Sequence, residues 1–298
     1  MSDYKVAVLG LGAMGLPMAT RLTTGLTVHG FDIAQPRLDL ASAAGIVPFG
    51  SAIETVAGVD AVLLAVRDSA QLDDVLFGTA GIAESLQPGA VVILTSTVGM
   101  DGIPTVVERL EAVGVELVDA PLSGGPVRAG AGDLLIVVGA SPAAREKAAP
   151  VLNLLASTLT VVGDKAGDGQ ALKTVNQLLC GVHIAAAAEA LALAAALGLD
   201  PAATLDALMS GAAASFMLGN RGPRMLEAYE EGGAEVLSRL DIFVKDMGIV
   251  GKASRAAGLA TPVAAAAEQL YLIGKAQGLS ALDDSAVITV IAPSPPTH

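Results

Sequence analysis

The stretch VAVLGLGAMGLPMATRL, which begins at Val6, constrains the fold more than any other part of the chain. An apolar run typical of a strand leads directly into Gly10, Gly12 and Gly15, and then into a run typical of a helix. In such a strand–turn–helix unit the first glycine permits a tight turn and the second lets a pyrophosphate approach the backbone. The third lets helix and strand pack closely. A simple glycine turn within a small core is the alternative interpretation.

Asp32 favours the interpretation in which a dinucleotide binds here. It ends the next predicted strand, LTVHGFD, about 20 residues beyond the glycines, where a carboxylate can accept hydrogen bonds from the adenosine ribose. The same carboxylate would repel a 2′-phosphate, so we predict NAD rather than NADP, although Arg37 lies nearby in the sequence. The cofactor-binding residues predicted from this half of the chain are Gly10, Leu11, Gly12, Ala13, Met14, Gly15, Asp32 and Val66.

Strand-like and helical runs alternate as far as residue 163, which predicts a parallel, doubly wound α/β sheet of the Rossmann type. The strand-like runs are KVAVLG, LTVHGFD, AVLLAV, AVVILTS, VELVDAP, DLLIVVG and LTVVG. Beyond them only helical patterns follow: a proline-free apolar run over 166–195, and then PAATLDALMSG, SRLDIFVKDMGIVGKASRAAG and PVAAAAEQLYLIGKAQG. We therefore predict an NAD-binding domain over 1–164 and an all-α domain over 165–298 for substrate binding and oligomerisation. A long helix would connect the two domains, and we expect the active site to lie between them.

Composition narrows the classes of function. Hydrophobic residues make up 53 % of the chain and charged residues 16 %, which favours a large folded core over disorder. The formal net charge of −13 disfavours nucleic-acid partners. The single cysteine, Cys180, excludes a disulfide within the chain and fits a reducing cytoplasm, and we predict no metal site.

The N-terminal residues and the most apolar segment both predict a cytoplasmic protein with no membrane partner. MSDYK lacks the basic segment and long apolar run of a signal peptide. The segment HIAAAAEALALAAALGL carries His183 and Glu189 and is rich in alanine rather than leucine. We therefore expect it to be a buried helix and not a membrane span.

The stretch DAPLSGGPVRAGAGDL follows the end of a predicted strand, the edge of such sheets where ligands collect. Ser123, Gly124 and Gly125 offer one hydroxyl and unobstructed backbone amides, which suits a substrate carboxylate. A glycine turn between two elements is the alternative interpretation.

The stretch GDGQALKTVNQLL places Lys173 early in the long predicted helix, with Gln170, Asn176 and Gln177 at helical spacing from it. A lysine close to a positively charged nicotinamide ring would hold its proton less tightly, and could accept the proton of a hydroxyl as hydride leaves the carbon. A solvated lysine on an amphipathic helix is the alternative interpretation.

Three further patterns carry less information. TSTV ends a predicted strand at Thr97, where a nicotinamide could lie, and KDMG contains Lys245, for which a surface ion pair with Asp246 is the alternative. Tyr271 and Lys275 have the Y-x-x-x-K spacing of short-chain dehydrogenases but lie far into the helical half, so we predict a chance match.

Taken in order, four of these motifs resemble the β-hydroxyacid dehydrogenase family, which includes 3-hydroxyisobutyrate and tartronate semialdehyde dehydrogenases. GLGAMGLPMA resembles its cofactor signature, DAPLSGG its substrate signature, GDGQALKTVNQ its catalytic signature and KDMG its second cofactor contact. The resemblance covers nearly the whole chain. It implies that Lys173 is the catalytic lysine, that Ser123–Gly125 grip the carboxylate, and that Thr97 and Lys245 contact the cofactor.

Gln177 departs from the family pattern, because many members have an asparagine four residues after the lysine, whereas here Asn176 precedes Gln177. The stretches NQLLCGVHIAAAAEALALAAALG, FMLGNR, LDIFVKDMG and DDSAVI are most similar to the L-threonate dehydrogenase branch, which oxidises the 2-hydroxyl of four-carbon sugar acids. Asn176 and Gln177 are accordingly predicted to orient substrate hydroxyls.

The sequence as a whole predicts an NAD-dependent dehydrogenase that oxidises a small hydroxy acid such as L-threonate, with Lys173 as general acid and base. The resemblance also implies a homodimer or homotetramer built on the long helix. Alternatives are a 3-hydroxyisobutyrate dehydrogenase, a tartronate semialdehyde (2-hydroxy-3-oxopropionate) reductase, an imine reductase, which generally lacks the lysine, and a non-catalytic dinucleotide-binding protein. The sequence assigns no role to His183, Glu189, Asn220 or Asp284.

Overall fold

The computed structural model describes residues 4–294. Two compact units are present, one ending at Lys173 and the other beginning at Thr174. They are treated separately below.

The first unit is built on a single sheet, with nine strands in the described part of the chain. The strands are β1 (Lys5–Leu9), β2 (Thr27–Phe31), β3 (Val47–Pro48), β4 (Ala61–Leu64), β5 (Val91–Leu94), β6 (Glu116–Asp119), β7 (Leu122–Ser123), β8 (Leu134–Gly139) and β9 (Ala156–Gly163). The first six lie in the order β3-β2-β1-β4-β5-β6 and are all parallel. This is the order of a doubly wound dinucleotide-binding sheet, which confirms the predicted fold class.

The parallel pattern ends at β6, where the structure differs from the expectation of parallel pairing throughout. Strand β8 is antiparallel to both β6 and β7, and β9 then runs parallel to β8. Two of the residues between β6 and β8 form β7, which itself pairs with β8.

Helices cover the two faces of this sheet. They are α1 (Gly15–Leu22), α2 (Gln35–Ala43), α3 (Ala52–Thr55), α4 (Ser69–Phe77), α5 (Ile103–Glu111), α6 (Gly125–Ala131) and α7 (Pro142–Leu155). Strand β1 shows why both faces are apolar: Val6 and Val8 enter one buried cluster, whereas Ala7 and Leu9 enter the other. Successive side chains of a strand point to opposite faces, so a strand covered on both sides must be apolar throughout.

The second unit is helical in its described residues. Helix α8 (Asp168–Ala196) begins in the first unit and continues into the second, where it is followed by α9 (Pro201–Met209), α10 (Phe216–Glu227), α11 (Leu240–Ala256), α12 (Pro262–Ala276) and α13 (Ile288–Ile291). The sequence patterns did not predict α10, which contains Pro223. Its start is fixed by Ser215, whose hydroxyl accepts the backbone N–H of Leu218.

Tyr271 belongs to the core of the second unit. Its ring is fully buried and its hydroxyl donates to the backbone carbonyl of Gly181 at 2.7 Å, whereas Lys275 is exposed. The Y-x-x-x-K spacing therefore reflects core packing around α8.

Asp283 and Asp284 anchor α10 through buried ion pairs. Asp284 receives two hydrogen bonds from Arg221, at 3.0 and 2.8 Å, and Asp283 receives one from Arg224 at 3.0 Å. Burial raises the pKa of Asp284 above its ordinary value. Asp283 is also desolvated, but hydrogen bonds from Ser285 and Arg224 outweigh this and lower its pKa. Asp284 thus has a structural partner within its own unit.

Helix α8 has an unusual surface. Among the described helices it alone has the length and apolar composition of a membrane span, and 39 % of its most apolar window is buried. Length and composition do not separate a membrane span from a core helix. Large apolar side chains of α8 are exposed, namely Leu172, Val175 and Leu179 at helical spacing and Leu193 near its end.

Candidate active site

The three glycines after β1 have different surroundings. A Cβ on Gly10 would overlap the carbonyl oxygen of Ala65, and one on Gly15 would overlap the carbonyl oxygen of Gly10. A Cβ on Gly12 would meet nothing within 4 Å. Gly10 and Gly15 are therefore required for packing, whereas Gly12 leaves space against the backbone. This arrangement fits a pyrophosphate lying over the turn into α1.

Asp32 fixes the position of this turn. One of its carboxylate oxygens accepts the backbone N–H of Leu11 at 2.7 Å and the other accepts that of Ala34 at 2.9 Å. The carboxylate is half-buried at the end of β2, and each oxygen keeps a second lone pair for a ribose hydroxyl. Asp32 thus both organises the glycine turn and fits the ribose of a dinucleotide.

The ends of the neighbouring parallel strands lie along the same edge of the sheet. Val66 follows β4 and Thr97 follows β5, and both side chains are half-buried. The segment that contains Thr97 is held in place by Gln170, whose side-chain oxygen accepts the backbone N–H groups of Val98 and Gly99 at 2.9 and 3.1 Å.

Asp119 and Gln170 form a buried hydrogen-bonded hub at this edge. Both are 0 % exposed. Asp119 Oδ2 accepts the backbone N–H groups of Gly167 and Gln170 at 2.9 and 2.7 Å, and Oδ1 accepts the Gln170 side-chain amide at 2.8 Å. That amide also donates to the carbonyl of Ser96 at 3.0 Å. The hub ties the end of β6 and the loop after β5 to the first turn of α8.

Burial shapes the electrostatics of the hub. It raises the pKa of Asp119 above its ordinary value, and the hydrogen bonds from Gln170 and Gly167 oppose this shift. Because the side chain accepts the free N–H groups at the start of α8, it also caps that helix and interacts favourably with its dipole.

Lys173 lies three residues after Gln170 on α8 and is brought to the carboxylate-binding stretch predicted from the sequence. Lys173 is 8 % exposed, and its Nζ donates to Ser123 Oγ at 3.1 Å. This is not the solvated lysine of the alternative interpretation. Since Ser123 accepts from Lys173, its own hydroxyl hydrogen can be donated to a ligand.

Gly124 and Gly125 follow Ser123 with positive φ angles of 146° and 74°. A Cβ on Gly124 would press against Leu134, but one on Gly125 would meet nothing within 4 Å. Backbone at Gly125 is therefore open to a ligand, next to the contact between Ser123 and Lys173.

The remaining predicted residues meet within the second unit. Asn176 Nδ2 donates to Gln177 Oε1 at 2.9 Å, and Gln177 Nε2 donates to Asp246 Oδ2. Lys245 Nζ lies 2.8 Å from Asp246 Oδ1. Asp246 is 2 % exposed, so the interpretation of KDMG as a surface ion pair is wrong for this residue.

Sequence reasoning missed the importance of the buried carboxylates of Asp119 and Asp246. A signal for Asp246 existed: it lies in α11 among Phe243, Met247 and Val250, the buried face of that helix. A carboxylate on an apolar helix face needs a buried partner.

We predict that Asp119→Asn destabilises the first unit. Asparagine offers one acceptor oxygen and one amide group to three N–H donors, so at least one donor would face another donor. The free energy of unfolding should fall by about 3 kcal/mol, as measured by urea denaturation.

Asp73→Asn is the matched control, because Asp73 makes an exposed ion pair with Arg109 and its side chain is 65 % exposed. It should lower stability by less than about 1 kcal/mol. Equal effects of the two substitutions would contradict the role of Asp119 as the buried hub.

Two family models match the chain. Residues 5–163 match the family described as the NAD binding domain of 6-phosphogluconate dehydrogenase. Residues 167–291 match the family described as NAD-binding of NADP-dependent 3-hydroxyisobutyrate dehydrogenase.

Full-length relatives agree with these matches. The chain is 39 % identical to an L-threonate dehydrogenase of Cupriavidus necator, over 96 % of this chain and 95 % of the relative. It is 36 % identical to an L-threonate dehydrogenase of Pectobacterium atrosepticum, over 97 % of this chain and 94 % of the relative.

A solved structure described as 3-hydroxyisobutyrate dehydrogenase from Salmonella typhimurium has a TM-score of 0.89 and 35 % identity, and the match covers 97 % of this chain and 100 % of that one. The sequence-based prediction of a nicotinamide dinucleotide cofactor is confirmed by these matches. The chain belongs to the β-hydroxyacid dehydrogenase family, the oxidoreductases related to 3-hydroxyisobutyrate dehydrogenase.

Proposed function

We propose that this protein is an NAD-dependent dehydrogenase that oxidises a hydroxyl of a four-carbon sugar acid such as L-threonate. The observation that carries the proposal is the contact of the buried Lys173 ammonium with Ser123 Oγ at 3.1 Å, beside the open backbone of Gly125. A base, a hydroxyl donor and open space beside a glycine backbone suit the oxidation of an α-hydroxy acid. Relatives named L-threonate dehydrogenase support the choice of substrate.

Lys173 acts in this proposal as general base during oxidation. Its neutral amine accepts the hydroxyl proton of the substrate while the carbon loses hydride, so the alcohol becomes a carbonyl and the amine becomes an ammonium. In reduction the same ammonium returns the proton.

Ser123, Gly124 and Gly125 hold the substrate carboxylate. The Ser123 hydroxyl accepts from Lys173 and donates its hydrogen to a carboxylate oxygen, which places the acid next to the base. The backbone amides of Gly124 and Gly125, in a turn where a Cβ on Gly125 would meet nothing within 4 Å, would add further donors. Asn176 and Gln177, which follow Lys173 by three and four residues on α8, orient the remaining hydroxyls.

The dinucleotide, when bound, supplies the hydride acceptor. Gly10, Leu11, Gly12, Ala13, Met14 and Gly15 would hold its pyrophosphate, Asp32 its ribose, and Val66, Thr97 and Lys245 its nicotinamide half. We propose NAD over NADP because the Asp32 carboxylate occupies the position that a 2′-phosphate would approach.

The two parts of the chain have different main roles in this proposal. Residues 1–164 bind most of the cofactor and supply the Ser123–Gly125 carboxylate grip, and residues 165–298 supply Lys173, the rest of the substrate site and the oligomer interface. A homodimer or homotetramer is supported by the exposed apolar side chains of α8, which extend from Leu172 to Leu193. A 3-hydroxyisobutyrate dehydrogenase is the second candidate, because a similar solved structure carries that description.

Initial rates over a panel of hydroxy acids test the activity and the cofactor choice together. We expect NADH formation with L-threonate to exceed that with 3-hydroxyisobutyrate, and NAD to be used better than NADP. A faster rate with 3-hydroxyisobutyrate would favour the second candidate. Preference for NADP would refute the argument from Asp32.

Lys173→Met tests the catalytic assignment. Removing an acid–base group should lower kcat by about 10²-fold or more, while NADH binding, measured by fluorescence, stays close to that of the unmodified protein. Lys275→Met is the matched control, since Lys275 is exposed on α12, and it should leave kcat unchanged. Turnover near the original value in Lys173→Met would remove Lys173 from the mechanism.

Gly12→Ala tests the cofactor site. A Cβ there meets no protein atom within 4 Å, so the fold should tolerate it, whereas a bound pyrophosphate should not. NADH binding should weaken about tenfold or more, at an unchanged thermal midpoint. Gly102→Ala is the control, because Gly102 also has open space and an ordinary φ of −84°. Unimpaired NADH binding in Gly12→Ala would contradict the placement of the pyrophosphate.

A further inference from the structure

The mechanism proposed above leaves Asp246 without a role, although it is a buried carboxylate in contact with two of the predicted site residues. One oxygen accepts from Gln177 Nε2, and the other lies 2.8 Å from Lys245 Nζ. The residues Gln177 and Asp246 are 7 % and 2 % exposed, respectively. Asp246 thus connects Gln177 of α8 to Lys245 of α11.

The chemistry of a carboxylate fixes the direction of the hydrogen bonds in this cluster. An ionised carboxylate only accepts, so Gln177 must turn Nε2 toward Asp246 and Oε1 away from it. Gln177 Oε1 then accepts from Asn176 Nδ2 at 2.9 Å, and the same Nδ2 donates to Cys180 Sγ at 3.4 Å. Both hydrogens of the Asn176 amide are directed into the cluster. The atom of that amide left to meet a ligand is therefore Oδ1.

We propose that Asp246 is a positioning residue that sets the polarity of the Gln177 and Asn176 amides, so that Asn176 presents Oδ1 as an acceptor for a substrate hydroxyl. The proposal rests on the proposed function, since it specifies how residues three and four positions after Lys173 recognise the acid. It also specifies the substrate, which must bear a hydroxyl that donates to Asn176. A substrate with only carbonyl or ether oxygens at that point would meet another acceptor.

Lys245 determines what happens when the charge on Asp246 is removed. In Asp246→Asn the new amide oxygen would be drawn to the Lys245 ammonium, which turns the amide nitrogen toward Gln177. Gln177 would then reverse to present Oε1 to that nitrogen, and its Nε2 would face Asn176. Asn176 would reverse in turn and present its donor group to the substrate hydroxyl.

A second substitution should undo this reversal. In the double variant Gln177→Glu with Asp246→Asn, the glutamate accepts from the asparagine at position 246 with one oxygen and from Asn176 Nδ2 with the other. The double variant keeps the net charge of the pair and restores the original direction at Asn176. Gln177→Glu alone would instead place two carboxylates against each other.

The experiment measures kcat/KM for the best hydroxy acid, and NADH binding, in the unmodified protein, both single variants and the double variant. We expect each single variant to lose about tenfold or more in kcat/KM, mainly through KM for the acid, and the double variant to recover to within about threefold. If the losses multiply in the double variant, or if Asp246→Asn affects NADH binding alone, the proposal is refuted.

Unfolding measurements on the same four proteins separate the inference from the proposed function. Thermal midpoints should also show recovery in the double variant, because the pairing is restored whether or not a substrate binds. If the unmodified protein oxidises no acid in the panel, the proposed function fails and the role of Asn176 toward substrate fails with it. Coupling between positions 177 and 246 would then remain as a structural result, and absence of coupling would refute that as well.

Discussion

The hydrogen bonds between Asp119 and Gln170 fix the geometry of the sheet edge at which the parallel strands of the first unit end. A carboxylate that is fully buried must have its charge compensated, and here the backbone N–H groups of Gly167 and Gln170 and the Gln170 side-chain amide do this. Gln170 also fixes the loop after β5, because its side-chain oxygen accepts the N–H groups of Val98 and Gly99. One buried charge thus fixes a helix, a strand end and a loop relative to one another.

This constraint explains why Lys173 can be both buried and directed at Ser123. The lysine lies one turn beyond Gln170, so the direction of its side chain follows from the anchoring of the first turn of α8. Ser123 lies four residues after Asp119, on the short strand that pairs with β8. The hub therefore fixes the backbone near both residues, through Gln170 for Lys173 and through Asp119 for Ser123. The long, flexible side chain of Lys173 can then make a defined contact with Ser123.

The sequence predicted those features that depend on local patterns. The glycine turn, Asp32 and the alternation of strands and helices were sufficient to predict the doubly wound sheet. The antiparallel direction of β8 was not predicted, because it follows from pairing with β6 and β7 and not from a local sequence pattern. Helix α10 was not predicted either, since Pro223 suppresses the helical pattern and the Asp283 and Asp284 ion pairs that anchor the helix lie about 60 residues away along the chain. Long-range partners also explain why Asp119 and Asp246 went unnoticed: their glutamine partners are 51 and 69 residues away in the sequence.

The most direct measurement of the central claim is a crystal structure of the protein with NADH and a four-carbon hydroxy acid bound together. The account predicts that Lys173 Nζ lies about 3 Å from the substrate hydroxyl, with the carboxylate on Ser123 Oγ and the backbone of Gly125. A complex in which the acid binds away from Ser123, or in which the Lys173 ammonium faces solvent, would contradict it.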